Sequence, residues 1–227
     1  TSIMILRRKR SHFRTLKAID TPKHSELLAE LLGILIGDGH LSHYQASMTT
    51  NSETDKEHAF YTKRLIQRLF SISATVKEKR EENTIVVVAS SRTLVQFLHR
   101  HGMPIGNKLQ KGLTVPRWIK QSSKYQEAFI RGLFDTDGCI YADIHKWRDK
   151  TYQHLGWTIT SYAGTLINDV QAILKNLGFS PTHRMTQRSV YLRRQNEIHR
   201  YFQEVGTHNP KHKKRYRKFV KQMKKNT

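Results

Sequence analysis

Residues 31–39 read Leu-Leu-Gly-Ile-Leu-Ile-Gly-Asp-Gly, and their form returns at residues 130–138 as Ile-Arg-Gly-Leu-Phe-Asp-Thr-Asp-Gly. Each copy has a bulky apolar residue, a glycine two places on, and a closing aspartate and glycine. Each copy also ends an apolar run with the period of a helix. Because the repeat period is too long for a solenoid, we interpret the two stretches as an internal duplication, with one copy in each half of the chain.

Gly33 and Gly132 occupy matched positions inside these predicted helices. A glycine inside a helix costs about 1 kcal/mol relative to alanine, so the pair predicts two helix backbones that approach closely. Helices packed along these glycines would place Asp38 and Asp137 side by side at their C-terminal ends. Negative charge is disfavoured at that end of a helix, so the two carboxylates predict a site for a divalent cation.

An Asp-Gly pair also ends many helices in an ordinary turn, and one copy alone would not decide between a cap and a site. Two copies in a duplicated, basic chain favour paired carboxylates that bind metal. An EF-hand is excluded, because Cys139 and Ile140 follow the second motif without the later glycine and glutamate of that loop.

Charge predicts the kind of partner. The 227 residues include 40 Lys and Arg against 18 Asp and Glu, a formal net charge of +22, which favours a polyanion. No stretch approaches the roughly 20 apolar residues of a spanning helix, so we expect no membrane partner.

The single Cys139 excludes an intrachain disulfide and a cysteine-based zinc site. Residues 3–10 run from apolar to basic, the reverse of a secretory signal, so we expect no export and an intracellular protein.

Helix caps, glycines at helix ends and alternating strands divide the chain into four parts. Residues 1–20 form a basic extension, 21–113 the first repeat, 114–122 a linker, and 123–227 the second repeat. Each repeat reads helix, two strands, helix, two strands, helix. The second repeat ends in a basic tail, in which Lys211–Lys225 holds nine Lys or Arg and no acid. We expect part of this tail to contact phosphates.

The two motif stretches resemble those of LAGLIDADG homing endonucleases, in the single-chain form that carries both motifs. The resemblance runs from Thr21 onward. Ile36 stands at the first acidic position of the motif, which Asp135 retains, but in the family it is the last acid that binds metal. The resemblance implies an α+β fold in which two antiparallel four-stranded sheets form a DNA-binding saddle around a central LAGLIDADG helix pair.

The resemblance also implies a monomeric endonuclease that cuts both strands of a long pseudo-palindromic DNA site across the minor groove. Hydrolysis of a phosphodiester requires an activated water and a stabilised leaving oxygen, and Mg²⁺ supplies both. Mn²⁺ is expected to substitute, and Ca²⁺ to bind without supporting cleavage. Asp38 and Asp137 would hold the ion, with the backbone carbonyls of Gly37 and Thr136 assisting.

A lysine near the end of each half polarises the water network in the family. Lys108 holds this position in the first half, and Lys211 or its neighbour Lys213 in the second. A phosphate-binding or solvated lysine is an equal alternative in so basic a chain. The family also positions water with a polar residue after the first strand pair. Thr50 or Asn51 would take that role in the first half and Ser161 in the second.

DNA readout is expected on the outward faces of the sheets, because a two-stranded ribbon fits the major groove and its polar side chains reach base edges. Alternation of polar and apolar residues predicts the outward residues as His43, Gln45, Ser47, Thr49, Asp143, His145 and Arg193, joined by Lys213 as a DNA contact. An ordinary solvated sheet face is the alternative.

Two other functions remain open at this point. A LAGLIDADG-type maturase would bind intron RNA and assist its splicing, with or without DNA cleavage. A transcription regulator on the same scaffold would be expected to append a helix-turn-helix, for which residues 207–227 are too short and too charged.

Overall fold

The computed structural model describes residues 18–148, 150–183 and 188–223. Both halves contain helix, two strands, helix, two strands, helix. The first half contains α1 (Glu26–Asp38), β1 (Gly39–Leu41), β2 (Gln45–Asn51), α2 (Lys56–Phe70), β3 (Thr75–Lys79), β4 (Thr84–Ser90) and α3 (Arg92–Arg100). The second half contains α4 (Ser123–Asp137), β5 (Gly138–Trp147), β6 (Lys150–Thr160), α5 (Gly164–Asn176), β7 (Thr182–His183), β8 (Ser189–Leu192) and α6 (Gln195–Glu204).

The strands form two four-stranded antiparallel sheets with the same order. The first sheet runs β1-β2-β4-β3 and the second runs β5-β6-β8-β7. In β2 the residues alternate between buried and more exposed, with Ala46 and Met48 on the buried face. The α+β class and the duplicated pair of sheets agree with the prediction. Each sheet buries one face because helices of its own half cover that face.

Helices α1 and α4 pack directly against each other at the centre of the molecule. A Cβ added at Gly33 would overlap the Phe129 carbonyl oxygen, and one added at Gly132 would overlap the carbonyl oxygen of Glu30. The close backbone approach predicted from the two glycines is therefore confirmed. Apolar side chains on both helices belong to one buried core that extends into both sheets.

The ends of the described chain hold two further features. Residues 1–17 of the predicted basic extension lie outside the described residues, while the Asp20 amide donates to the Phe70 carbonyl oxygen at 3.1 Å. The basic tail, which the sequence predicts to be solvated and partly helical, forms the helix α7 (Pro210–Met223). Its buried His212 and half-buried Tyr216 hold it against the second half.

In the portion of the chain described here, no helix has the length and apolar character to cross a bilayer.

Candidate metal centre and nucleic-acid interface

Asp38 and Asp137 are the last residues of α1 and α4, so the close packing of these helices brings the two carboxylates together. A Cβ added at Gly37 would overlap the Thr136 side chain and would lie 3.4 Å from the Asp137 Cγ atom. Gly39 and Gly138 follow the aspartates in extended conformation. They are required for space, because a Cβ at Gly39 would lie 2.5 Å from the Leu35 carbonyl oxygen and one at Gly138 would overlap that of Phe134.

The pKa values of the two carboxylates indicate that nearby positive charge does not fully neutralise the pair. The pKa of Asp137 is raised to about 7, chiefly by burial and then by the neighbouring charge of Asp38, against the opposing effect of Lys108. Burial likewise raises the pKa of Asp38, while Lys108 lowers it and Asp55 raises it. Two desolvated carboxylates in contact disfavour each other's ionised form. A divalent cation bound between them would remove that penalty, so the donor set suits a hard metal ion.

Lys108 reaches this pair from the loop after α3. Its Nζ atom lies 2.8 Å from the Ile36 carbonyl oxygen and 3.0 Å from that of Gly39, and it also donates to the carbonyl oxygen of Gly37. Burial lowers the pKa of Lys108, and Asp137 and Asp38 both act in the opposite direction. The ammonium thus occupies the negative end of α1, next to both aspartates. The predicted position is the observed one, although its catalytic role stays a prediction.

The second-half lysines lie elsewhere. Lys211 Nζ is 2.7 Å from Asp55 Oδ1, and the Asn209 amide donates to the same oxygen at 2.5 Å. The charge of Lys211 acts on the pKa of Asp38, whereas for Asp137 the cation that lowers the pKa is Lys108. Lys108 therefore acts on both aspartates, whereas Lys211 acts on Asp38. Lys213 is exposed on α7, at the mouth of a cavity lined by Arg131, Tyr216 and Arg217 among others.

The three residues predicted to position water differ in their surroundings. The Thr50 hydroxyl acts on Asp38, where its hydrogen bond contributes to lowering the pKa of that carboxyl. Asn51 accepts from the backbone amides of Glu53 and Thr54, both at 2.9 Å, so its side chain closes a turn. Ser161 is buried and accepts from the Ala163 amide at 3.3 Å. Of these three, Thr50 is the residue that the structure brings to an aspartate.

Of the four residues predicted to read DNA in the first half, three lie on one face of β2. Gln45, Ser47 and Thr49 lie on the more exposed face of β2, opposite Ala46 and Met48. His43 lies in the turn between β1 and β2 and not on a strand, because these two short strands form a hairpin around residues 42–44.

On the second sheet, Asp143 lies within β5 and Arg193 immediately after β8, with Arg193 Nη1 4.0 Å from Asp143 Oδ2. His145 pairs with Tyr152 across β5 and β6, and its side chain lies outside what the structure describes. Asp143 and Arg193 therefore form an ion pair with each other, and a base contact by either residue would have to replace it.

Helix α7 adds a strongly basic surface. It carries seven Lys or Arg and no acidic residue, and Lys213, Lys214, Arg215, Arg217 and Lys218 are exposed. Within the described residues, Lys211 is the α7 cation that pairs with an acid. The opposite side of the helix is held by Tyr216, whose ring stacks on Phe202 with centroids 4.0 Å apart. Like charges on one helix repel each other, so this surface is suited to a polyanion.

Several residues of the site escaped the sequence analysis. Asp55 reads locally as the start of α2, and only the fold brings it to Asn209 and Lys211. The chain order Asn209-Pro210-Lys211, which parallels Asn107-Lys108, was the available signal that this segment returns to the motif helices. No sequence pattern marked Glu30 or His58 as a candidate site residue, because each stands alone within an apolar helical pattern.

Family comparisons identify the fold twice. Residues 124–206 match the LAGLIDADG-like domain family, and residues 28–104 match the WhiA LAGLIDADG-like domain family. The chain thus carries two LAGLIDADG-like domains and has the α+β LAGLIDADG fold.

Curated relatives match over short parts of much longer proteins. The chain is 30% identical over 172 residues to the ribonucleoside-diphosphate reductase NrdEB subunit alpha of Bacillus subtilis, which covers 70% of this chain and 15% of the relative. It is 32% identical over 123 residues to the replication factor C small subunit of Methanocaldococcus jannaschii, covering 49% and 7%. A third relative, the tRNA-splicing ligase RtcB of Methanopyrus kandleri, is 25% identical over 177 residues, covering 68% and 17%.

Solved structures with this fold include nucleases and WhiA. The I-LtrWI LAGLIDADG homing endonuclease bound to target DNA has a TM-score of 0.57 at 14% identity, covering 89% of this chain and 91% of that one. The homing endonuclease I-DmoI, in mesophilic variants, has a TM-score of 0.53 at 18% identity, covering 80% and 95%. Full-length DUF199/WhiA from Thermatoga maritima has a TM-score of 0.55 at 16% identity, covering 89% and 63%.

Proposed function

We propose that this protein is a site-specific endonuclease that binds double-stranded DNA along its two sheets and hydrolyses both strands at the C-terminal ends of α1 and α4. One observation carries the proposal. Asp38 and Asp137 are brought together, largely desolvated, with raised pKa values and with Lys108 beside them. Structural carboxylates at a helix end have no reason to be paired in this way, whereas metal-dependent phosphodiester hydrolysis requires such a pair.

Each residue of the proposed site has a defined role. Asp38 and Asp137 would hold a hard divalent ion such as Mg²⁺, which when bound supplies activated water and stabilisation of the leaving oxygen. Lys108 donates to the carbonyl oxygens at the end of α1 and keeps a positive charge at the place where a phosphate would approach. Thr50 fixes the Asp38 carboxyl through its hydroxyl. The exposed faces of the two different sheets would each read one half of an asymmetric site.

The relatives support the interpretation that this chain is a module found inside unrelated host proteins. The matched segment occupies 15%, 7% and 17% of a reductase subunit, a replication factor and an RNA ligase. These three names share no activity, so the common segment is best explained as a module inserted into different hosts. Structures with this fold that hold DNA, including I-LtrWI on its target and I-DmoI with DNA and Mn, support double-stranded DNA as the partner.

The test is recovery of cleaved molecules from a library of random DNA duplexes incubated with the protein and Mg²⁺. We expect the parent to produce double-strand breaks at one related set of sequences. Asp38→Asn and Asp137→Asn should each lower this cleavage by several orders of magnitude, while Glu53→Gln, an exposed carboxylate beyond β2, should leave it unchanged. Parental cleavage by either asparagine variant would refute the role of that aspartate.

A second candidate is DNA binding without cleavage. The observation that favours it is the match of residues 28–104, which contain Asp38, to the WhiA LAGLIDADG-like domain family. The same library separates the two candidates, because a protein that retains specific duplexes in Mg²⁺ and never cuts them is a binding protein.

A further inference from the structure

A second group of polar side chains, three of them buried and the fourth partly exposed, lies where four chain segments meet. It consists of Glu30 from α1, His58 from α2, Asp135 from α4, and His208 from the segment between α6 and α7. One ligand atom from each of Glu30, Asp135 and His208 lies within 4.8 Å of the other two. Glu30 is 0% exposed, and His58 and Asp135 are 1% exposed.

His58 is the residue that points to a ligand. Its Nε2 atom is buried without a hydrogen-bond partner among the described residues, and it faces the group at 3.6 Å from Asp135 Oδ2. A buried polar atom left without a partner costs roughly 1–3 kcal/mol, so folded proteins normally supply one. An imidazole nitrogen is a common metal ligand, so an ion bound beside Asp135 would supply the partner that His58 Nε2 lacks among the described residues.

The other three ligands are oriented by bonds of their own. The Arg131 Nη2 donates to Glu30 Oε2 at 2.9 Å, which leaves Glu30 Oε1 facing His208 Nδ1 at 2.5 Å. The Tyr61 hydroxyl also donates to Glu30 Oε1, at 2.6 Å. Outer partners of this kind typically fix the direction of metal ligands.

Asp135 is held in the same manner. Its Oδ2 accepts from the His208 backbone amide at 2.9 Å, and its Oδ1 accepts from the Thr207 hydroxyl. Each of these bonds leaves carboxylate lone pairs available toward the centre of the group. His208 itself is 44% exposed, which leaves an open route for an ion to enter.

We propose that Glu30, His58, Asp135 and His208 form a structural site for a transition-metal ion of the zinc class, distinct from the site of Asp38 and Asp137. Two imidazole nitrogens and two carboxylate oxygens are donors that Zn²⁺ accepts in tetrahedral geometry, whereas Mg²⁺ prefers oxygen alone. The ion would join α1, α2 and α4 to the segment that carries Asn209 and Lys211. Without it, the same residues form a hydrogen-bonded network in which Arg131, Tyr61 and His208 all contact the Glu30 carboxylate, and the experiment separates these two arrangements.

The experiment uses the full chain carrying Asp38→Asn and Asp137→Asn, so that the aspartate pair cannot hold the probe and the outcome does not depend on nuclease activity. Metal-stripped protein is equilibrated with Zn²⁺ and gel-filtered, and bound zinc is measured by mass spectrometry alongside Tm. We expect one Zn²⁺ per chain and a Tm that rises by several degrees. Co²⁺ in its place should give the visible absorption of a four-coordinate site.

Two histidine variants and one control decide the assignment. His58→Gln and His208→Gln should each lose the bound zinc and the rise in Tm, while His43→Gln, in the exposed turn after β1, should retain both. His208→Gln keeps the test valid if His58→Gln does not fold, because His208 is half-exposed and outside any helix. No bound zinc in the background protein, or stoichiometric zinc in His208→Gln, would overturn the proposal.

Discussion

Asp137 is one of the buried groups that should make the stability of this protein depend on pH. Its pKa in the folded state is raised to about 7, chiefly by burial and then by Asp38, whereas an unfolded chain has the ordinary value for an aspartate near 4. The folded state therefore binds this proton more tightly than the unfolded state. The resulting contribution to stability is fully present below about pH 4 and is lost as pH rises toward 7.

Asp137→Asn removes this pH dependence. Each unit of pKa difference corresponds to about 1.4 kcal/mol, so we expect the metal-free variant to be more stable than the parent at pH 8 by one to a few kcal/mol. At pH 4 the two should be equal. Urea unfolding at both values, in EDTA, measures the difference. Equal free energies of unfolding at pH 8 would show that the Asp137 carboxyl is not strained by its surroundings.

Lys108 and Lys211 differ in what they contact, and this difference predicts separate effects. Lys108 lies beside both aspartates, so Lys108→Met should lower the cleavage rate about 10²–10⁴-fold while the protein still binds DNA. Lys211→Met removes the cation bonded to buried Asp55 and should mainly lower the free energy of unfolding. Rates of cleavage and urea unfolding of both variants test the assignment. A larger loss of cleavage in Lys211→Met would place the catalytic lysine in the second half.

At the scale of elements, the contact between α1 and α4 reverses a general rule. Replacing a helical glycine by alanine normally stabilises a helix by about 1 kcal/mol. Here even one methyl group at Gly33 or Gly132 would overlap a backbone carbonyl oxygen of the other helix, and a backbone cannot move aside as a flexible side chain does. The glycines therefore determine how closely the aspartates approach.

Gly132→Ala should destabilise the protein by about 1–3 kcal/mol, the usual cost of overpacking. Gly164→Ala is the matched control, because Gly164 begins α5 and an added Cβ would meet nothing within 4 Å. We expect that control to be neutral or slightly stabilising. Thermal unfolding of both variants gives the comparison. A Gly132→Ala protein as stable as the control would mean that the two helices lie farther apart.

Under the proposed function, helix α7 and the two sheets should make separate contributions to DNA affinity. We expect a variant with Lys213→Gln, Lys214→Gln, Arg217→Gln and Lys218→Gln to bind all DNA sequences more weakly, with a shallower salt dependence and unchanged sequence preference. Arg64→Gln and Arg68→Gln on α2 provide the control, because α2 covers the buried face of the first sheet and its exposed side points away from Gln45 and Ser47. Affinity measured over a salt series tests this, and unchanged binding by the α7 variant would contradict it.

At the scale of the whole molecule, a net charge of +22 sets the form of DNA binding. Neutralising phosphates releases condensed counterions, so the logarithm of the association constant should fall linearly and steeply with the logarithm of salt concentration, with a slope of about −0.9 per phosphate contact. Fluorescence anisotropy of a labelled duplex between low and physiological salt measures this slope. A nearly flat line would remove double-stranded DNA as the partner.

The sequence by itself determined the duplicated α+β architecture, the helix pair and the adjacency of Asp38 and Asp137. These follow from local rules, because glycine spacing, helix ends and period-two strands are each encoded within a few neighbouring residues. The family resemblance, and not a local pattern, assigned Lys108 to this centre and offered Thr50 as an alternative to Asn51. Polar alternation likewise identified Gln45, Ser47 and Thr49 as one face of β2.

Only the tertiary structure decided which distant residues surround that centre. Lys211 pairs with Asp55 and not with Asp137, because the Asn209 segment docks against the start of α2. Glu30, His58 and His208 become neighbours because three helices and a loop converge there, and no local pattern records such a meeting. The basic tail from Lys211 onward reads as solvated and only partly helical, whereas in the structure it forms α7, which packs on α6 through the stacked rings of Tyr216 and Phe202. The chemistry of each side chain can thus be inferred from the sequence, whereas the residues that it contacts are decided by tertiary packing.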